Sequence, residues 1–134
     1  MLRRLVAADE AYCGMKMQGF TFDLGDPIMH AWLCENPVGV EALNWKERPT
    51  PSPKAGEVLI EIQAASLNFP DLLIVQNKYQ MKPPTPFVPG AEFAGVVEAV
   101  GEGVKHLAPG MAVAGFAGLG GFATHTVAPA AVLM

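Results

Sequence analysis

A mainly β domain with one short helix is predicted by three features of the sequence. The 134 residues make one domain's worth of chain, able to bury roughly two thirds of its unfolded surface. The 14 glycines and 12 prolines argue against a helical bundle and for short elements joined by turns. Several segments alternate apolar and polar residues with the period of a half-buried strand. With 51% hydrophobic and only 16% charged residues, the chain is not an intrinsically disordered one.

The first 28 residues have no sustained period of 2 or 3.6. They carry adjacent arginines (Arg3, Arg4), three of the seven methionines and a Gly25-Asp26 turn. We read residues 1–28 as a leader, loosely attached or an upstream extension, and residues 29–134 as the domain. The apolar run His30 to Cys34 and the alternation Ala42 to Arg48, with Leu43 and Trp45 set against Asn44 and Lys46, predict a hairpin with one wet face. Pro49, Pro51 and Pro53 break the pairing, and Lys54-Ala55-Gly56 turns the chain. Glu57 to Ala64 is the clearest strand, with Val58, Ile60 and Ile62 on one face and Glu61 and Gln63 on the other.

The helix follows. Asn68 is a good N-cap, Pro70 sits where its missing N–H costs nothing, and Asp71 at the third position suits the free amides and the dipole. Asn77 is a plausible left-handed stop. The four prolines between Lys82 and Gly90 force an extended loop. Phe93 to Val100 is apolar on both sides, as in a closed or two-layered β structure. Gly101-Glu102-Gly103 and Pro109-Gly110 are turns, and Met111–Phe116 and Phe122–Val127 read as two strands around a glycine-rich hairpin. The expected sum is a barrel or sandwich of six or seven strands.

The formal charge of −4 leaves no basic surplus for phosphates, so a nucleic-acid binder is not expected. No run of 18 apolar residues occurs, so no membrane span is expected either. Cys13 and Cys34 make no disulfide framework and no CxxC pair, which suggests a reducing, cytoplasmic setting. Gly115 to Gly121 lacks the spacing of a dinucleotide loop, and strand rather than helix follows it. His30, His106 and His125 are scattered, and no metal site is expected. The remaining polar set is Asn68, Asp71, Tyr79 and Glu92. Capping alone can explain the first two. Glu92 is either an exposed strand start or a buried group with a specific partner.

These residues also carry a resemblance. Ala64-Ala-Ser-Leu-Asn68-Phe-Pro-Asp71, then Tyr79, Pro86-Phe-Val-Pro89-Gly90-Ala91-Glu92-Phe-Ala-Gly95, then Val100-Gly101-Glu-Gly103, resemble in order and spacing the N-terminal GroES-like domain of the medium-chain dehydrogenase/reductase superfamily. Its zinc-independent quinone oxidoreductase branch is the nearest in look, over about residues 29–134. The resemblance implies a partly open GroES-like β-barrel, and hydride transfer from NADPH to a quinone or enone. It implies Asn68 and Tyr79 as catalytic residues, Asn68, Asp71 and Tyr79 at the cofactor, and Glu92 and Gly90 as positioning residues. A zinc alcohol dehydrogenase would have cysteine at Asn68 and histidine at Ala91. Two departures are Leu73, where a second tyrosine is common, and Gly110-Met111-Ala112-Val113, which lacks the family's aspartate. The expected partners are a small-molecule acceptor and a Rossmann domain or homodimer partner, and the chain alone should be inactive. Two competing readings are a non-catalytic β module binding a protein through its exposed cleft, and a zinc alcohol dehydrogenase domain.

Overall fold

A computed structural model describes residues 26–134; Cys13 and nearly all of the expected leader lie outside the described residues. The described residues form six strands: β1 (Ile28–Cys34), β2 (Leu43–Pro49), β3 (Glu57–Ala65), β4 (Glu92–Val100), β5 (Ala112–Phe116) and β6 (His125–Pro129). One α-helix, α1 (Phe69–Val75), and two 3-10 turns, Val40–Ala42 and Ala130–Val132, complete them. No helix among the described residues is long and apolar enough to cross a membrane.

The strands form two antiparallel sheets, β1-β2 and β5-β4-β3-β6. The larger sheet stays open rather than closing into a barrel. A single isolated bridge, Gly115↔Leu133, ties the residues after β6 back to β5. β4 lies inside the sheet, which explains its apolar sequence: Phe93, Gly95 and Val97 are buried, and Ala94 and Val96 half-buried. Phe93 and Val97, with Val58, Ile60, Leu107, Val113, Ala128 and Ala130, build the main core. A second cluster, Cys34, Ile74, Val75 and Phe87, anchors α1.

The helix ends obey their local signals. Asp71 Oδ2 accepts the Asn68 backbone N–H at 2.9 Å. Asn77 has φ 56°, and the N–H groups of Asn77 and Lys78 reach the carbonyls of Ile74 (3.0 Å) and Leu73 (2.8 Å). Both bonds together are a Schellman stop.

Two expectations are corrected. β2 buries nothing: its polar residues Asn44, Lys46 and Arg48 stand opposite the buried Leu33, Ala31 and Met29, while Trp45 pairs with Trp32 on the outer face. The apolar side of β2 faces an open cleft, not the core. The glycine-rich segment is also no hairpin, because β5 and β6 lie on opposite edges of the sheet. Its N–H groups are used elsewhere: Ala117 donates to Ala91 O, Gly120 to Val88 O, Gly121 to Gly90 O and Phe122 to Pro89 O, all within 2.9 Å. Pro89 has no N–H but keeps its carbonyl, and here the carbonyls of Val88, Pro89, Gly90 and Ala91 accept while the glycine-rich segment supplies the donors. The last strand accordingly starts at His125 rather than Phe122.

Candidate functional site

Between the two sheets and α1 lies a cleft of about 920 Å³. One wall is the aromatic face of β1-β2. Trp32 and Trp45 have ring centroids 5.4 Å apart, and His30 stacks behind Trp45 at 5.7 Å. The end of β3 from Ile62 to Ala65, the first turn of α1 with Asn68, Phe69 and Leu72, and the crossing segment Gly121–Thr124 supply the rest. The rim is apolar and open, with Leu67 84% and Phe69 70% exposed. Among the described residues no lysine, arginine or histidine lines the cleft.

A polar cluster adjoins the cleft where the β3-β4 ladder ends: Asn68 lines the cleft, and Ser66 and Glu92 line a neighbouring depression. Ala65 pairs with Phe93, and the Ser66 N–H donates to the Glu92 carbonyl at 3.2 Å, so the sheet brings these two side chains together. The Ser66 hydroxyl donates to Glu92 Oε2 at 2.7 Å. Asn68 Nδ2 donates to the same oxygen at 3.1 Å and to Ser66 Oγ at 3.0 Å. Glu92 is thus an exposed strand start that nevertheless has specific partners. The Ser66 hydroxyl first, and then the Asn68 amide, hold its carboxyl below the ordinary glutamate value. A depressed carboxylate adds stability above the ordinary value and loses it as the pH falls through the lowered one. Any stability that wild type has over Glu92→Gln should therefore be present at neutral pH and vanish on acidification. Parallel denaturation curves at several pH values check this, and a difference that grows toward acid would contradict it.

Asp71 lines the cleft but is 3% exposed. Its Oδ1 accepts the Ala91 N–H at 3.1 Å, while Oδ2 holds Asn68 N–H, so both oxygens are spent on the backbone. Gly90 is buried at φ 100° against Phe122. Tyr79 packs on the Cys34, Ile74, Val75 and Phe87 cluster and does not line the cleft. The structure therefore joins Asn68, Asp71, Glu92 and Gly90 in one neighbourhood and leaves Tyr79 outside it. Burial pushes the Cys34 thiol up, which makes it a poor nucleophile. Among the described residues no three histidine, cysteine, aspartate or glutamate side chains gather around one point.

Sequence reasoning gave no role to Ser66, Trp32, Trp45 or Phe122. Ser66 stands two residues before the cap, and only the ladder register reveals its partner. The alternation of β2 marked Trp45 as apolar, which fits a core wall and a cleft wall equally well.

Residues 54–134 match the family model described as the alcohol dehydrogenase GroES-like domain. An alcohol dehydrogenase of Moraxella sp. (strain TAE123) is 40% identical over 70 residues, 52% of this chain and 21% of that protein. Among solved structures, a mycobacterial quinone oxidoreductase superposes with TM-score 0.71 at 34% identity, covering 78% of this chain and 32% of its own. A mycobacterial protein complexed with NADPH gives the same score and identity, covering 78% of this chain and 31% of its own. The chain thus spans about a fifth of that curated relative and a third of the two solved chains.

Proposed function

Because this chain belongs to the alcohol dehydrogenase GroES-like domain family, we propose that it is the substrate-side domain of an NADPH-dependent oxidoreductase acting on quinones or other conjugated carbonyls. The observation that carries the reading is the cleft: largely apolar among the described residues, its one carboxylate, Asp71, buried and bonded to the backbone, and its side-chain amides those of Gln63 and Asn68. Such a surface suits a flat, neutral acceptor and excludes water around it.

The residues fit that end of the reaction and not the nucleotide's phosphates. Among the described residues no basic side chain lines the cleft, and the N–H groups of Ala117, Gly120, Gly121 and Phe122 already bond the 88–91 segment, so the glycine-rich segment has none of these to cradle a phosphate. A nucleotide-binding domain would have to hold NADPH, which supplies the hydride. The part left to this chain is to orient the acceptor between Trp32, Trp45, Phe69 and Phe122 and to set Asn68 at the reacting end. Zinc-free chemistry is supported by the donor set. Asn68 and Ala91 stand where the resemblance places a zinc alcohol dehydrogenase's cysteine and histidine, and neither an amide engaged with Glu92 nor a methyl group replaces those ligands.

The test has two arms. The 134-residue chain alone should show no saturable NADPH oxidation with 1,4-benzoquinone. Fused in place of the matching domain of the mycobacterial quinone oxidoreductase, it should restore quinone-dependent NADPH oxidation, and Asn68→Ala should lower kcat/KM about tenfold or more. A folded, NADPH-binding fusion without quinone turnover would overturn the proposal. Tyr79→Phe in the same fusion tests the remaining expectation, since a fall matching that of Asn68→Ala would bring Tyr79 into the site. A second reading, a module that binds a protein, is favoured by the exposed Leu67 and Phe69. A stable complex or self-association of the isolated chain in size-exclusion chromatography would support it.

A further inference from the structure

We propose that Ser66 is a positioning residue, whose hydroxyl locks the Asn68 amide and the Glu92 carboxylate into one unit and so decides which end of that amide faces a bound ligand. The inference rests on the reading of Asn68 as the cleft's reacting-end group. The three side chains form a closed triangle with edges of 2.7, 3.0 and 3.1 Å. Chemistry fixes the direction of every edge. An ionised carboxylate only accepts, so Ser66 must give its proton to Glu92, and the end of the amide beside Glu92 must be the NH2. Ser66 Oγ, its hydrogen spent, then accepts from the same NH2.

The amide oxygen Oδ1 is therefore the end turned away from this pair. A ligand group meeting that end must bring an O–H or N–H, as the hydroxyl groups and carboxamide of a nicotinamide nucleotide do and a ketone oxygen does not. At that end, which also caps the first turn of α1 by accepting from the Asp71 backbone N–H, Asn68 can accept but not donate, and the charge that develops on the acceptor oxygen must be met by another group.

The triangle is separable from the fold. The Asn68 backbone N–H is held by Asp71 and the Ser66 backbone by the Glu92 carbonyl, so the hydroxyl acts on side chains alone, at an exposed position. Removing it should free the amide without unfolding the domain.

The experiment is nuclear magnetic resonance on the 134-residue chain with Ser66→Ala and Ser66→Thr. In Ser66→Ala the Asn68 side-chain amide protons should move toward free-asparagine positions and the Glu92 carboxyl should titrate at higher pH. Ser66→Thr, which keeps the hydroxyl, should preserve both. Signals of Asn68 and Glu92 unmoved by Ser66→Ala would overturn the proposal. In the fusion protein, Ser66→Ala should raise the KM for NADPH about tenfold with a smaller change in kcat, and Ser66→Thr should restore it. An unchanged KM also counts against the positioning role. A fusion with no turnover sinks the functional reading instead, and the resonance arm still decides the role of Ser66.

Discussion

Asp71→Ala should cost the domain about 3 kcal/mol, since a buried carboxylate bonding two backbone amides contributes roughly 1.5–3 kcal/mol per bond, less what water recovers. The carboxylate joins two distant pieces of chain. Its Oδ2 closes the first turn of α1 on Asn68 N–H, and its Oδ1 takes the N–H of Ala91, the residue just before β4 and 20 residues away. Ala91 is 6% exposed, so its N–H has no ready replacement partner. Asn68 is half-buried, and water can partly repair that bond. Asp71→Asn should lose somewhat less, about 2 kcal/mol, because one amide oxygen remains while the NH2 opposes a donor. Urea denaturation of the three chains measures both losses. If Asp71→Asn left stability untouched and abolished turnover in the fusion, Asp71 would belong to cofactor binding and not to the frame.

That case shows what was legible and what was not. The cap role of Asp71 follows from its place three residues after Asn68, a signal contained in four residues of sequence. Its bond to Ala91 depends on where β4 docks against α1, which no local pattern encodes. The strand over Glu57–Ala65 and the stop at Asn77 were legible for the same reason, being short-range steric and hydrogen-bonding effects. The hairpin expected between β5 and β6 failed because closeness in sequence suggested pairing, whereas the carbonyls of Val88, Pro89 and Gly90 offered the glycine-rich segment better partners. Trp45 was legible as apolar but not as a cleft wall, since period 2 tells which residues share a face and not what lies opposite it. Glu92 was left between two alternatives, and the ladder register resolved them by delivering Ser66.

The crossing of those two segments is also where a single methyl group should do most damage. Gly90→Ala places a Cβ 2.7 Å from the Phe122 backbone nitrogen and 2.6 Å from a carbon of its ring, at φ 100°. The ring could turn aside, but the nitrogen is tied to Pro89 O at 2.9 Å and the Phe122 carbonyl to Trp32 N–H at 2.9 Å. Backbone strain of about 1–3 kcal/mol and overpacking of a similar size together predict a loss of about 4 kcal/mol. Gly103 isolates the first part, because its φ is 82° but nothing lies within 4 Å of the added Cβ. Gly103→Ala should therefore cost only about 1–2 kcal/mol. Equal losses in denaturation experiments on the two variants would show that the crossing is loose and that only backbone conformation matters. Where the difference is found, it has a functional side: Phe122 both meets Gly90 and lines the cleft beside Trp32. A Gly90→Ala chain that still folds should carry a displaced cleft wall, and in the fusion should bind the quinone more weakly than Gly103→Ala does.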